Sequence, residues 1–411
     1  MYQLAINAIT KIINEAGYVN LVISDNIKNS NLTDHERRLF TRIVYGTVEK
    51  YLLLDYYLKP YTTGKKIKPF IRNTLRMGVY MIYFMDIANH FVVNELVKIV
   101  KKQDYHASGM VNAILRSIIR DGLREIKVSD KAEYLSIKYS YALELVKELM
   151  KQYPNEIEDI LSASEGVYNT YRINTLKIST EEVESLLKEH DVEYKLENTT
   201  LWTKNSLINT SLFVEGKIVP QDASSQQVAL VTNPLSGSRI LDACSAPGGK
   251  AYHLATIMGN IGEIICLDIY PHKLKLIEEG SLKQGLTILK PTLSDARTYS
   301  SDEPFDYVVV DAPCSGLGVM LHKVDLKYHM SLSSMNELVS LQEEILENLY
   351  RLVKVNGYLV YSTCTINKNE NIYQIKKFIK KHPEFELLVE KEYLPSSLGD
   401  GFFIAKLQRK A

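Results

Sequence analysis

An α/β architecture with an all-helical front section is what this sequence predicts, on three observations. Up to about residue 125, apolar residues recur at three and four positions, the spacing of helices buried along one face. From about Pro220, short β-prone runs alternate with helical stretches, the pattern of a doubly wound parallel sheet covered on both faces. Between these, residues 161–219 carry short strands around one helix. The expected division is therefore 1–125 all-helical, 126–219 a helical linker with a small α/β region, and 220–411 the parallel sheet. A chain of 411 residues gives each part room for its own core.

The front section reads as helices over Glu36 to Leu54 and Asn73 to Met85, punctuated by Gly46, Pro60, Gly64, Gly78, Gly109 and Gly122. Thr33 followed three residues later by Glu36 is a capping-box signal. In the middle, Tyr171 to Asn174 reads as a strand and Ser179 to His190 as a helix. Its Thr180-Glu181-Glu182 opening places acids where they favour the helix dipole, and short strands follow through Leu201-Trp202. Beyond Pro220, strands are expected at Arg239 to Ala243, Glu263 to Asp268, Ile288 to Thr292, Phe305 to Asp311 and Tyr358 to Ser362. Helices are expected at about 250–258, 271–284, 333–354 and 369–381. The stretches Glu384 to Val389 and Gly401 to Leu407 suit an antiparallel pair at one edge.

Formal net charge is zero, but the distribution is uneven: residues 1–125 hold 18 Lys+Arg against 11 Asp+Glu. A surplus of seven positive charges on the front section can track phosphates while the rest of the chain stays acidic. No apolar run reaches the roughly 18 residues of a membrane span, so a soluble, cytoplasmic protein without a membrane partner is expected. Four cysteines, three of them ending strands, do not make a disulfide framework. No protein partner is evident.

In a doubly wound sheet, ligands bind beyond the carboxyl ends of the strands. The first such strand runs into Cys244-Ser245-Ala246-Pro247-Gly248-Gly249-Lys250, where the paired glycines let backbone approach a ligand before a helix starts. A P-loop is excluded because Ala251 follows Lys250 and no glycine stands five residues before Gly249; the dinucleotide fingerprint is absent as well. Asp268, about 20 residues past the glycines, is placed to accept hydrogen bonds from a ribose, and Asp295, after the third strand, is placed to meet the adenine. Together, each just past the end of a successive strand, these acids suit a nucleoside cofactor. Two further strands end beside thiols, at Asp311-Ala312-Pro313-Cys314-Ser315-Gly316 and Ser362-Thr363-Cys364. Neither cysteine has a second Cys or His at metal-ligand spacing, so no metal is expected. Cys266, inside a strand, reads as core, and Cys244 as a lining residue of the cofactor pocket.

Residues 37–46, 75–78, 92–97 and 109–116 resemble the NusB-type antitermination-factor domain, an RNA-binding module in that family. The segments 244–250, 311–316 and 362–364 resemble the three signature motifs of the RNA 5-methylcytosine methyltransferases. Gln221-Asp222-Ala223-Ser224-Ser225-Gln226 and Asp400-Gly401-Phe402-Phe403 match its flanking patterns. Taken end to end, the chain is similar to the bacterial 16S ribosomal RNA cytosine-5 methyltransferases of the Sun/Fmu (RsmB) type. That resemblance implies a Rossmann-like sheet binding S-adenosyl-L-methionine (AdoMet) as methyl donor, without a metal, and RNA as substrate, 16S ribosomal RNA first. It implies Cys364 as the nucleophile, Cys314 as the residue assisting product release, and Asp311 and Lys250 beside them. It also assigns Cys244, Ser245, Ala246, Pro247, Gly248, Gly249, Lys250, Asp268, Asp295 and Asp311 to cofactor binding.

Carbon 5 of cytosine is a poor nucleophile, so a thiolate must first add at carbon 6; two cysteines suit that cycle, one to attack and one to help expel. An amino-methylating enzyme would carry Asn/Asp-Pro-Pro-Tyr/Phe where this chain has Asp-Ala-Pro-Cys. Transfer RNA is an alternative substrate, and a non-catalytic RNA-binding scaffold is the alternative of another class. Two departures from the family stand out. Met320-Leu321-His322-Lys323-Val324-Asp325 lacks an arginine and a proline in a loop expected to face RNA. Tyr141-Ala142 stands where the family has Pro-Trp, a change expected to affect packing.

Overall fold

Helical periodicity in the front section is realised as a bundle. A computed structural model describes residues 1–163 and 168–410; residues 164–167 of the middle region and Ala411 lie outside the described residues. The chain divides into two units, residues 1–161 with 322–331, and residues 162–321 with 332–411.

The first unit is helical. Its long helices are Tyr2–Glu15, Val19–Lys28, Asp34–Glu49, Tyr51–Thr62, Pro69–Phe84, Asn89–Gln103 and Tyr105–Asp121, with Lys131–Tyr139, Leu143–Gln152 and Ile157–Ser162 after them. Thr33 and Glu36 form the reciprocal capping box, each side chain reaching the other's backbone N–H. The pattern over Glu36 to Leu54 is two helices, separated at Lys50, because the chain turns there from Asp34–Glu49 into Tyr51–Thr62. Gly46 and Gly78, read as punctuation of the expected helices, lie inside helices. A Cβ on Gly46 would stand 2.0 Å from the Tyr80 hydroxyl, and one on Gly78 2.8 Å from Leu115. These glycines are helix-crossing points. Gly109 also lies within a helix, facing open space.

Residues 322–331 join this unit. Val324 packs in its apolar core, the Tyr328 hydroxyl meets the carbonyls of Val48 and Glu49 at 2.7 Å, and Asn20 donates to the His322 carbonyl. Lys327 is buried with its ammonium 4.5 Å from the centre of the Tyr141 ring, and Ala142 N–H donates to the Lys327 carbonyl. Burial lowers the Lys327 ammonium to about 8. The Tyr141-Ala142 departure thus serves packing. The loop expected to face RNA is largely buried from Val324 to Lys327, leaving His322 and Lys323 exposed.

The second unit contains two sheets. The smaller comprises β1 (Asn169–Ile173), β2 (Tyr194–Glu197), β3 (Thr200–Thr203) and β4 (Ile218–Pro220), antiparallel in the order β2-β3-β1-β4. The helix Thr180–Glu189 belongs to this part, opened by a Ser179–Glu182 capping box. Arg172 on β1 is wholly buried and donates to Gln221, Thr256 and Gln284, side chains from three different segments. The larger sheet comprises β5 (Arg239–Asp242), β6 (Glu263–Asp268), β7 (Leu289–Leu293), β8 (Phe305–Asp311), β9 (Val353–Thr363), β10 (Phe385–Tyr393) and β11 (Phe402–Arg409). Its order is β10-β11-β9-β8-β5-β6-β7; β5 to β9 run parallel, and β10 and β11 antiparallel at one edge. Apolar clusters cover both faces. The helix expected over 333–354 ends at Leu349, since β9 begins at Val353 and its first residues belong to the sheet.

Two substitutions test the reading of the helical glycines. Gly78→Val inserts branched carbons against Leu96 and Leu115 and, read by denaturant titration, should lower the unfolding free energy of the helical unit by about 1–3 kcal/mol. Gly109→Ala should raise it by up to about 1 kcal/mol, because nothing meets the added methyl and the helix loses a flexible residue.

Candidate active site

Parallel strands end together, and here five of them deliver chemistry to one edge. β5 ends at Asp242 and continues through Cys244–Gly248 into the helix Gly249–Ile257. Gly248 adopts φ +103°, and a Cβ there would meet the Tyr252 ring at 2.4 Å. Tyr252 in turn donates its hydroxyl to the Pro247 carbonyl at 2.8 Å, so the turn is folded over an aromatic ring. A Cβ at Gly249 would meet nothing within 4 Å, which leaves the close-approach position at Gly249.

A cavity of about 290 Å³ opens against this turn. Cys244, Ser245, Ala246, Pro247, Gly249, Lys250, Asp311 and Cys364 line it, with Asp242, Gln221, Asp222, Asp400 and Phe402. Gly248, Asp268, Asp295 and Cys314 are not among its lining residues. Asp268 ends β6, where its Oδ1 accepts from Tyr270 N–H at 3.0 Å and its Oδ2 lies 3.7 Å from Lys273 Nζ. The Asp295 carboxylate is engaged by Arg297, with Nη2 to Oδ2 at 2.7 Å, which holds its pKa below the ordinary range.

Lys250 and Asp311 form an ion pair, Nζ to Oδ2 2.6 Å, and Ser362 donates to Asp311 Oδ1 at 3.0 Å. Burial is the largest influence and works to lower the Lys250 pKa, but the charge and hydrogen bond of Asp311, with the Cys364 and Asp242 charges, together outweigh it and the net shift is upward, so the ammonium persists. Cys364 contributes to the field at Lys250, and the Phe402 ring centre lies 5.2 Å from its Nζ. The Cys314 and Cys364 sulfurs are 3.2 Å apart. The hydrogen bond to Cys364, with burial and the nearby Glu370 and Asp311 charges, holds the Cys314 thiol well above its usual pKa. Cys244 is raised by burial and by four surrounding aspartates, which makes it an inert lining thiol. Cys266 is buried within β6.

Asp242 is a functional candidate that its place at a strand end did not single out. Its side chain is fully buried; Oδ2 accepts from Ser245 at 2.8 Å, while Oδ1 has no partner among the described residues. Burial pushes its carboxyl up to about 7; the Ser245 hydrogen bond opposes this, and the Asp311 charge adds to it. The flanking patterns also converge. Asp222 caps the helix Ala223–Thr232 through Ser224 and Ser225 N–H, and its Oδ2 accepts from Asp400 N–H at 3.1 Å. Gly318 N–H donates to the Cys364 carbonyl and Gly401 N–H to the Gly318 carbonyl, tying three loops together at the cavity. Among the described residues, no group of three or more His, Cys, Asp or Glu is placed to hold a metal ion.

Comparison with known proteins matches residues 229–408 to the profile of the 16S rRNA methyltransferase RsmB/F family and residues 1–120 to the NusB family. The probable ribosomal RNA small subunit methyltransferase B of Bacillus subtilis (strain 168) is 34% identical, covering 99% of this chain and 98% of that one. The chain belongs to the RsmB/F methyltransferase family. The ribosomal RNA small subunit methyltransferase B of Yersinia pseudotuberculosis serotype O:1b is 27% identical over 99% of this chain and 98% of its own length. The crystal structure of PH0851 superposes with a TM-score of 0.82 at 28% identity, covering 98% of both chains. An RsmB/F methyltransferase is thus present with its NusB-like front domain and Rossmann-like sheet.

The tie at Gly318 has a direct test. A Cβ there would lie 1.9 Å from the Gly401 carbonyl oxygen, so Gly318→Ala should destabilise the second unit by about 1–3 kcal/mol, read as a lowered unfolding midpoint. Gly249→Ala, facing open space, should leave that midpoint unchanged.

Proposed function

We propose that the protein transfers a methyl group from AdoMet to carbon 5 of a cytosine in 16S ribosomal RNA, through a covalent bond between Cys364 and carbon 6. The observation that carries this reading is the thiol pair: two sulfurs in contact, of which Cys364 lines the cavity and Cys314 stands behind it. An electron-rich cavity floor fits a cationic donor. Asp242 offers a buried carboxylate oxygen with no partner among the described residues, and Gly249 leaves room for a ligand beside the strand end. When bound, AdoMet supplies an electrophilic methyl group on a sulfonium. Residues 244–250, Asp242, Asp268, Asp295 and Asp311 are assigned to hold it.

The remaining steps belong to the chain. The Lys250 ammonium favours the thiolate of Cys364, which adds to carbon 6 and moves the ring's double-bond electrons onto carbon 5. Carbon 5 takes the methyl group and then loses its proton to a base. Electrons of that carbon–hydrogen bond restore the ring double bond as the carbon 6–sulfur bond breaks. Cys314, protonated and in contact with the departing sulfur, donates a hydrogen bond to it and so assists release. The Lys250–Asp311–Ser362 chain holds the cytosine side of the cavity. Residues 1–125, with their positive surplus, and the region 126–219 are assigned to RNA binding, in a protein acting in the cytoplasm. The names of the relatives favour ribosomal over transfer RNA.

Cys364→Ala should abolish transfer of labelled methyl groups to 16S RNA, by at least about a thousandfold, while RNA binding by mobility shift survives. Cys314→Ala should leave protein attached to RNA on a denaturing gel, because release and not attack is impaired. Intact protein that binds 16S RNA without consuming labelled AdoMet, on free RNA or on small-subunit particles, would return the reading to a scaffold.

Asp242 predicts a pH dependence. A cation bound beside it stabilises the ionised carboxylate, so its pKa falls on binding from about 7. Affinity for AdoMet is then greatest above that value and weakens as pH falls through it, by roughly fivefold to tenfold between pH 7.5 and 6. Calorimetric titration should show proton release on binding near pH 7, and Asp242→Asn should flatten both effects.

A further inference from the structure

Both thiol loops are anchored to two adjacent residues that no functional reading of the sequence had used. Glu370 and Asn371 are fully buried at the start of the segment leading into the helix Ile372–Lys381. The Glu370 carboxylate is held by hydrogen bonds from neutral donors. Oε2 accepts from Ser315 N–H at 2.8 Å and from Gln342 Nε2 at 3.0 Å; Oε1 accepts from the Ser315 hydroxyl and from Asn367 Nδ2 at 2.9 Å. Gln342 Nε2 also donates to the Pro313 carbonyl at 2.8 Å. Both chain neighbours of Cys314 are therefore pinned, Ser315 directly and Pro313 through Gln342.

Cys364 is pinned in the same way from the other side. The Thr363 hydroxyl donates to Asn371 Oδ1 at 2.6 Å, and Asn371 Nδ2 donates to the Thr365 carbonyl at 2.9 Å. The Ser315 and Thr365 hydroxyls meet at 2.7 Å. A carboxylate can only accept, so Ser315 must give its proton to Glu370, and Thr365 must donate to Ser315. The charge thereby fixes the direction of a hydrogen-bond chain crossing between the loops. Gly318 N–H to the Cys364 carbonyl closes the frame.

We propose that Glu370, with Asn371 beside it, is a positioning residue for the thiol chemistry: it locks the Cys314 and Cys364 loops against one another so that the two sulfurs keep contact. The proposal deepens the catalytic reading above and rests on it. An amide would not serve equally, because four donors converge on Glu370 and a Gln side chain would turn its own N–H₂ toward at least one of them. Losing one acceptor for a buried donor loosens the loop it holds. The negative charge has a second effect, on Cys314 alone: it adds to the influences that keep that thiol protonated, leaving Cys364 the reactive member.

The test uses the full chain with Glu370→Gln and, independently, Ser315→Ala. Iodoacetamide labelling between pH 6 and 9, mapped by peptide mass spectrometry, reads the two thiols without any RNA. The intact chain should label chiefly at Cys364. Glu370→Gln should raise the ratio of Cys314 to Cys364 labelling about tenfold at pH 8, and Ser315→Ala about threefold. In methyl transfer to 16S RNA, Glu370→Gln should lower kcat at least tenfold with KM for AdoMet within threefold, and should let the covalent RNA adduct accumulate. A purely structural role would lower the unfolding temperature and leave the labelling ratio and its pH profile unchanged; that result in folded Glu370→Gln protein would overturn the proposal. Should Glu370→Gln not fold, an unchanged ratio in Ser315→Ala would overturn it. Shifted labelling in a chain whose intact form methylates no RNA would uphold the role of Glu370 in setting the thiol pair and reject the catalytic reading.

Discussion

Register between β8 and β9 is the constraint on which the site depends. Asp311 on β8 pairs with Ser362 on β9, so the residues that follow each strand leave the sheet at the same height. Three residues past Asp311 comes Cys314; two residues past Ser362 comes Cys364; the sulfurs meet at 3.2 Å. A slip of one residue in either strand would send one side chain of the pair to the opposite face of the sheet. The buried β-branched run of β8 and the apolar run Leu359–Tyr361 of β9 forbid such a slip, since both faces are packed. Packing of an ordinary core therefore sets the chemistry of its edge.

Electrostatics then separates residues of like chemistry. Asp242, Asp268, Asp295 and Asp311 all act on Cys244, yet their partners differ: a serine and an orphaned oxygen, a turn N–H, an arginine, and a lysine. Beside Arg297 the Asp295 carboxyl is held below its ordinary range, whereas at Asp242, whose side-chain partner is a serine, burial pushes the carboxyl up. The same rule separates the cysteines. Cys244 sits in a negative field and Cys314 is held protonated by its neighbours, whereas Cys364 opens to the cavity beside the Lys250 ammonium. One site thus holds three thiols in three different electrostatic settings.

Legibility of the sequence followed the range of the interactions. Strand ends at Asp268 and Asp311, the helix 271–284 and the Thr33 capping box are set by neighbours within a few residues, and all were readable. The role of Gly46 and Gly78 was not readable, because a glycine that admits a crossing helix looks, locally, like a glycine that ends one. The packing around residues 320–325 was hidden for a related reason: Val324 is buried in the helical core, and Tyr328 just beyond meets carbonyls some 280 positions away in sequence. At the site, residues 244–250, Cys314 and Cys364 carry recognisable motifs. Glu370 does not, since Asn367-Lys368-Asn369-Glu370-Asn371 has the composition of a solvated turn, and three of the four donors that converge on the Glu370 carboxylate come from Ser315 and Gln342, distant in sequence.

In the proposed reaction the Cys364 sulfur bonds to carbon 6 of a cytosine while carbon 5 is methylated. RNA of 16S sequence transcribed with 5-fluorocytidine tests it most directly, since fluorine at carbon 5 cannot leave as the proton does and the cycle stops with the bond in place. After incubation with AdoMet, the account predicts a complex that survives denaturation and a nucleotide remnant on the peptide containing Cys364. A remnant on the Cys314 peptide, or methylated fluorocytosine released with no attachment to the protein, would contradict it.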